Sequence, residues 1–150
     1  MNTNTIKYLI DSVHVKIFNF SDEELSYKPE PGKWSKNEIL GHLCDSAINN
    51  LTRFINSQFT VEPYILTGYS QYEWVRMNNY NNMSIEKVVT LFTILNERII
   101  EVVNKIPEEK LNAVCIIGDA GFRENSGKES LQWIIEDYIF HMEYHIKQIL

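Results

Sequence analysis

The chain has little of several things that would otherwise direct its interpretation. Among its 150 residues there are two cysteines, Cys44 and Cys115, far apart and in no CxxC arrangement. This excludes a disulfide framework or a cysteine zinc site, and makes each a small apolar filler in a reducing compartment. No apolar run approaches the roughly 20 residues of a membrane span, and the opening "MNTNTIKYLIDSVHVKIF" lacks the basic-then-apolar order of a secretory signal. A cytoplasmic protein is expected. Basic residues are outnumbered, 14 Lys and Arg against 20 Asp and Glu, for a net charge of -6. Without a basic stripe to displace counterions, a nucleic-acid partner is not expected. Glycines and prolines are also few, six and four, and they fall between long stretches of regular pattern.

Those stretches have helical periodicity. About residues 3 to 18, Ile6, Ile10, Val13 and Ile17 recur at steps of three and four. The prolines of "SYKPEPGKW" end this helix. A second helix, about 36 to 58, has a clear start: Ser35 caps and Glu38 completes a reciprocal capping box. A third opens at Ser84 and runs to about Asn104, with Pro107 just beyond it. A fourth covers about Glu129 to Ile149. Four amphipathic helices without persuasive strands predict an all-α, four-helix bundle forming a single domain over residues 1–150. The run Ala113 to Ile117 either pairs as an edge strand or packs down. The connection "TVEPYILTGYSQYEWVRMNNYNNMS" is aromatic-rich for a linker, with a short helical turn around Gln71 to Arg76.

There are only four histidines. Two of them, His141 and His145, stand four residues apart in "FHMEYHIKQIL", one above the other on the same helix face. At 100° per residue, Leu131, Ile135, Tyr138, Ile139, Met142, Ile146 and Ile149 cluster roughly 100° from His141, which puts His145 just inside the apolar face and His141 at its margin. The pair reads either as boundary histidines satisfied by hydrogen bonds or as two ligands of a metal that needs a third. His14 and His42 are the candidates. In the second helix Leu40, Leu43, Ala47, Leu51 and Phe54 form the apolar face, and periodicity turns His42 away from it, among Glu38, Asp45, Ser46, Asn49 and Arg53. That stripe reads as a solvated surface or as the wall of a wet cavity.

At this point the chain resembles a known family. "PGKWSKNEILGHLCDSAINNLTRFI", followed by "YSQYEWVRMNNY", "LNERIIEVVNKIPEEKL" and the terminal "FHMEYHIKQI", is similar to the DinB-like metal-binding four-helix bundles, in particular their YfiT-type branch, over about residues 28 to 149. Position by position the resemblance implies His42, His141 and His145 as metal ligands, and none for His14. It departs from the branch where Tyr144 replaces the histidine that usually precedes the last ligand, and where Ala47 replaces a histidine common after Asp-Ser. It implies a metal-dependent enzyme with an open coordination position, acting on a small molecule as a hydrolase or as a transferase of a low-molecular-weight thiol such as bacillithiol. The alternative is a non-catalytic metal-binding or protein-interaction bundle. Zinc or nickel is expected, with manganese and iron also suited to imidazole. Asp45, one turn beyond His42, is the candidate to orient a ligand or accept a proton. Tyr72, Trp74 and Arg76 are expected to line the substrate pocket, Arg76 holding an anionic group, unless the aromatics merely cap the core. Family bundles are often dimers, and the flanking apolar residues Trp133, Phe140, Ile48 and Ile55 suggest a homodimer here.

Overall fold

Four long helices pack around one apolar core: α1 (Asn4–Lys16), α3 (Lys36–Asn56), α5 (Ile85–Lys105) and α6 (Leu131–Ile149). The computed structural model describes residues 3–118, 120, 122 and 127–150. Two shorter helices, α2 (Asp22–Ser26) and α4 (Gln71–Asn78), lie in the first two connections. α3 and α6 start where their sequences supply caps. Ser35 Oγ accepts from the Glu38 N–H while Glu38 returns a bond to the Ser35 N–H, and Ser130 Oγ accepts from the Trp133 N–H at 3.1 Å. α2 carries its own capping box, Ser21 with Glu24. It was not expected from the sequence, because five residues are too few to establish a period.

α3 packs against α5 and α6, and α1 packs against the same two, so α1 lies diagonally across from α3. Directions follow from specific contacts. Thr3 bonds Asn104, pairing the start of α1 with the end of α5; Cys44 Sγ approaches the Val88 carbonyl at 3.8 Å, so α3 and α5 begin at the same end; Lys36 donates to the Ile149 carbonyl, so α6 ends where α3 begins. α3 and α5 are therefore parallel neighbours. A helix of 21 residues is about 30 Å long, and a chain that must start a second helix beside the start of the first has to travel that length back. This is why the connection between them is long, aromatic-rich and partly helical, and why it packs along α3 rather than projecting into water.

The chain also contains a small sheet that the sequence pattern did not reveal. β1 (Tyr64–Ile65) pairs parallel with β2 (Val114–Ile116), and β2 pairs antiparallel with β3 (Lys128–Ser130), with Cys115 opposite both Tyr64 and Glu129. The Ala113–Ile117 run is thus the centre of the sheet and not its edge. Strands of two and three residues are shorter than the alternation by which a strand is recognised. The sheet closes the end where α3 and α5 finish and α6 begins, and the Leu131 N–H continues it into α6 by bonding the Ala113 carbonyl at 3.0 Å. Cys44 and Cys115 are both buried free thiols. Among the described residues no helix is long and apolar enough to cross a membrane.

Candidate metal centre

His42 enters the site from the second turn of α3, and His141 and His145 from the last turns of α6. The antiparallel packing of these helices brings residues 99 apart in sequence to an Nε2–Nε2 distance of 3.1 Å between His42 and His141. His145 completes the group, its ring centroid 4.5 Å from that of His141 and 5.0 Å from that of His42. One ring nitrogen from each residue lies within 4.8 Å of the other two. Periodicity had turned His42 toward solvent, and this is overturned: its exposure is 0%. The polar side of α3 is covered by the returning crossover, so both sides of the helix are packed, a condition that the helix's own sequence cannot display. His14 stays apart, its ring bonded to the Thr93 hydroxyl at 2.8 Å.

Burial sets the charge of the cluster. Desolvation, reinforced by the two neighbouring rings, pulls His42 from 6.5 to about 3; desolvation and the His145 ring bring His141 to about 4, and burial lowers His145 as well. The three imidazoles are neutral at physiological pH, which is their ligand form. Gln148 accepts from His145 Nδ1 at 2.8 Å, so that ring keeps its proton on Nδ1 and turns a lone pair on Nε2 toward the cluster. Trp34 packs on the His42 ring at 4.8 Å, and His42 Nδ1 is buried with no hydrogen-bond partner. Two imidazole nitrogens on one cation at about 2.1 Å each would stand about 3.0 to 3.4 Å apart. The donor set, its neutrality and its closest spacing fit a divalent ion.

Two cavities flank the cluster. Outside it a cleft of about 520 Å³ is lined by Trp34, Tyr72, Tyr144, His145 and Gln148 among others. On the other side, a polar cavity of about 30 Å³ is lined by His141 together with Ser46, Asn50, Arg53, Tyr69 and Asp137. Gln71, at the start of α4, borders both.

The other residues singled out by sequence divide. Tyr72 lines the outer cleft and lies 5.1 Å from Trp34, ring to ring. Trp74 packs instead on Tyr69, at 5.4 Å. Arg76 is exposed and forked onto Glu73, and it borders neither of these cavities. Asp45 is fully buried and accepts from the Tyr80 hydroxyl at 2.7 Å and the Asn78 amide at 2.9 Å, so its bonds hold the crossover and reach none of the three histidines. Burial raises Asp45 from 3.8 to about 6 against those two bonds. Gln148, Arg53 and Asp137 were not singled out as site residues. Gln148 and Asp137 stand three beyond His145 and four before His141, a helical spacing that could have drawn notice.

Comparison with known proteins finds relatives of this chain. Two proteins of Oceanobacillus iheyensis, each named "putative metal-dependent hydrolase", are 24% identical over 131 residues and 23% identical over 134, spanning 87% and 89% of this chain and 71% and 73% of theirs. The solved structure described as "YfiT from Bacillus subtilis is a probable metal-dependent hydrolase with an unusual four-helix bundle topology" superposes with a TM-score of 0.82 at 17% identity, over 98% of this chain and 81% of that one, and so shares its fold. The sequence profile of the DinB superfamily matches residues 14–149, the span that contains all three clustered histidines and the crossover between α3 and α5, and the chain belongs to that superfamily.

Proposed function

We propose that His42, His141 and His145 hold a divalent cation and that the protein is a metal-dependent hydrolase of a small molecule. The observation that carries this is the convergence of three neutral imidazoles from two helices beside an open cleft. Three protein ligands leave coordination positions free, and a cation so held lowers the pKa of bound water and polarises a substrate oxygen. Zinc or nickel fits, as do manganese and iron, since imidazole suits all four. The chain's own residues do the rest. Burial keeps the rings unprotonated, and Gln148 fixes the orientation of His145. Trp34, Tyr72 and Tyr144 offer aromatic surface for the apolar part of a substrate. Asp45 acts as a positioning residue, anchoring Tyr80 and Asn78 to α3.

A second reading, transfer of a low-molecular-weight thiol of the bacillithiol kind onto an electrophile, is favoured by one feature: the described cluster contains no carboxylate. A thiol held by the cation would give its proton to solvent and need no resident base, whereas hydrolysis usually draws on one. The protein is further proposed to work in the cytoplasm as a homodimer, using the exposed or half-exposed Ile48, Ile55, Trp133 and Phe140; light scattering at micromolar concentration tests this, and a monomeric mass refutes it.

Metal analysis of the purified protein should find about one ion per chain, falling below about a tenth in His141→Ala, with helix content by circular dichroism retained. Retention of metal by that variant would remove the ligand assignment. Assays of 4-nitrophenyl acetate hydrolysis and of chloride displacement from 1-chloro-2,4-dinitrobenzene by cysteine separate the two chemistries. Stoichiometric metal with neither activity would favour a binding bundle.

A further inference from the structure

The geometry points to the small polar cavity beside His141 as the subsite for a substrate carboxylate, with Arg53 as its anchor. Arg53 sits three turns beyond His42 on α3 and is only 6% exposed. A buried guanidinium is costly unless its charge is matched. Yet the ion pairs found among the described residues do not include Arg53. It donates to two neutral oxygens, the Thr67 carbonyl at 2.8 Å and Asn50 Oδ1 at 3.3 Å, and its cation lies 5.2 Å over the Phe122 ring. Of the five N–H donors that a guanidinium carries, those bonds use two.

The cavity wall completes the site. Tyr69 and Gln71 contribute a hydroxyl and an amide that can donate to an oxyanion, Asn50 spends its own amide on Ser46, and His141 stands in the same wall. A ligand group held here is therefore next to the metal cluster, and Gln71 marks the border with the outer cleft where the rest of the molecule would lie. The size selects the group. About 30 Å³ is room for two or so waters at about 10 to 15 Å³ each, which suits the two oxygens of a carboxylate better than the four of a phosphate. Charge sets an upper limit: one guanidinium matches at most a monoanion, and Asp137, which has a partner of its own, is a carboxylate in the same wall that opposes any anion and a dianion most. The planar fork of arginine pairs with a carboxylate through two parallel N–H bonds. The sequence had pointed to Arg76 for this task, but Arg76 is in water with Glu73 as its partner.

The position of the carboxylate relative to the reacting group rests on the metal-dependent reading above; binding of the anion does not, so the test uses both metal-loaded and metal-free protein. Acetate is titrated into each at constant ionic strength with chloride as the reference salt, following binding calorimetrically and the arginine Nε–H resonances of ¹⁵N-labelled protein by NMR. The expected result is acetate binding in both forms, a shift of the Arg53 Nε–H signal, and a weakening of about tenfold or more in Arg53→Gln. Acetate binding that needs the metal and leaves the Arg53 signal unmoved would overturn the proposal, as would phosphate binding more tightly than acetate, or an Arg53→Gln variant that binds acetate like the parent. If that variant does not fold, the Nε–H shift in the unaltered protein still decides. Failure of the protein to hold any metal, with acetate still bound at Arg53, would sink the hydrolase reading and leave this subsite standing.

Discussion

The two ends of the bundle are closed by different means. Where α3 and α5 finish, closure is a matter of backbone: β2 hydrogen-bonds to a strand on each side, and the side chains that matter there, Ala113, Cys115 and Ile117, need only be small or apolar and face inward. Where α3 and α5 begin, closure is done by side chains. Lys36 reaches the Ile149 carbonyl, Ser35 bonds Asn81, Lys28 pairs with Glu38 at 2.8 Å, and Tyr80 lies against Gly41. Backbone pairing is nearly indifferent to residue identity, whereas a closure made from side chains fixes the identity of each. The second kind of end can be shaped around a polar site, and all three clustered histidines are there.

The sharpest way to break this contrast is Gly41→Ala. A Cβ on Gly41 would lie 2.1 Å from the Tyr80 ring, so the tyrosine must move and with it the hydroxyl bonded to Asp45. A loss of about 1–3 kcal/mol is expected, seen as a melting temperature lower by about 3–10 °C. A variant as stable as the parent would mean that this end is looser than its contacts imply.

Acid should act on the same end. The three rings have folded pKa values below 6.5, about 3 for His42 and about 4 for His141, so on acidification the unfolded chain takes up protons first. Their contribution to stability is whole above 6.5 and is lost progressively as the pH falls toward those values. Asp45 runs the other way: raised to about 6 from 3.8, it is protonated first in the folded state and favours folding increasingly as the pH falls from about 6 to about 4. With three groups against one, the melting temperature of metal-free protein should drop between pH 7 and pH 4, and a flat or rising curve would contradict this. His42→Gln should make the slope shallower.

At the other end, Val114→Thr in β2 should change stability by less than about 0.5 kcal/mol in urea unfolding, because Val114 is 37% exposed and both its pairing with Ser130 and its bond to Glu62 are made by its main chain. A loss of several times that amount would show the sheet to depend on its side chains after all, and would erase the difference between the ends.

What could be read from the sequence follows the same division. The four long helices and the Ser35–Glu38 capping box are local features, decided within one or two turns, and the structure has them within a few residues of their expected limits. The pairing of His141 with His145 is also local. His42 is different, because its ring is covered by Trp34 and by the two α6 histidines about 100 residues further on, and only the family resemblance placed it with the other two. The sheet escaped because its strands are too short to have a pattern, and because β1 pairs with β2 across about 50 residues of sequence. Arg53 and Arg76 carry the same side chain; what separates them is which one the crossover covers.

The parallel pairing of α3 with α5 also bears on how the chain acquires its structure. In an up-and-down bundle each helix can zip onto its predecessor through a short turn, and the earliest contacts are close in sequence. Here the pair with the most extensive packing meets through residues such as Cys44 and Val88, 44 positions apart, with the whole crossover between them. Closing so long a loop before any contact rewards it slows the search. Refolding of this protein should accordingly be slower than that of an up-and-down four-helix bundle of equal length and stability, a cost in time imposed by connectivity and independent of any residue in the site.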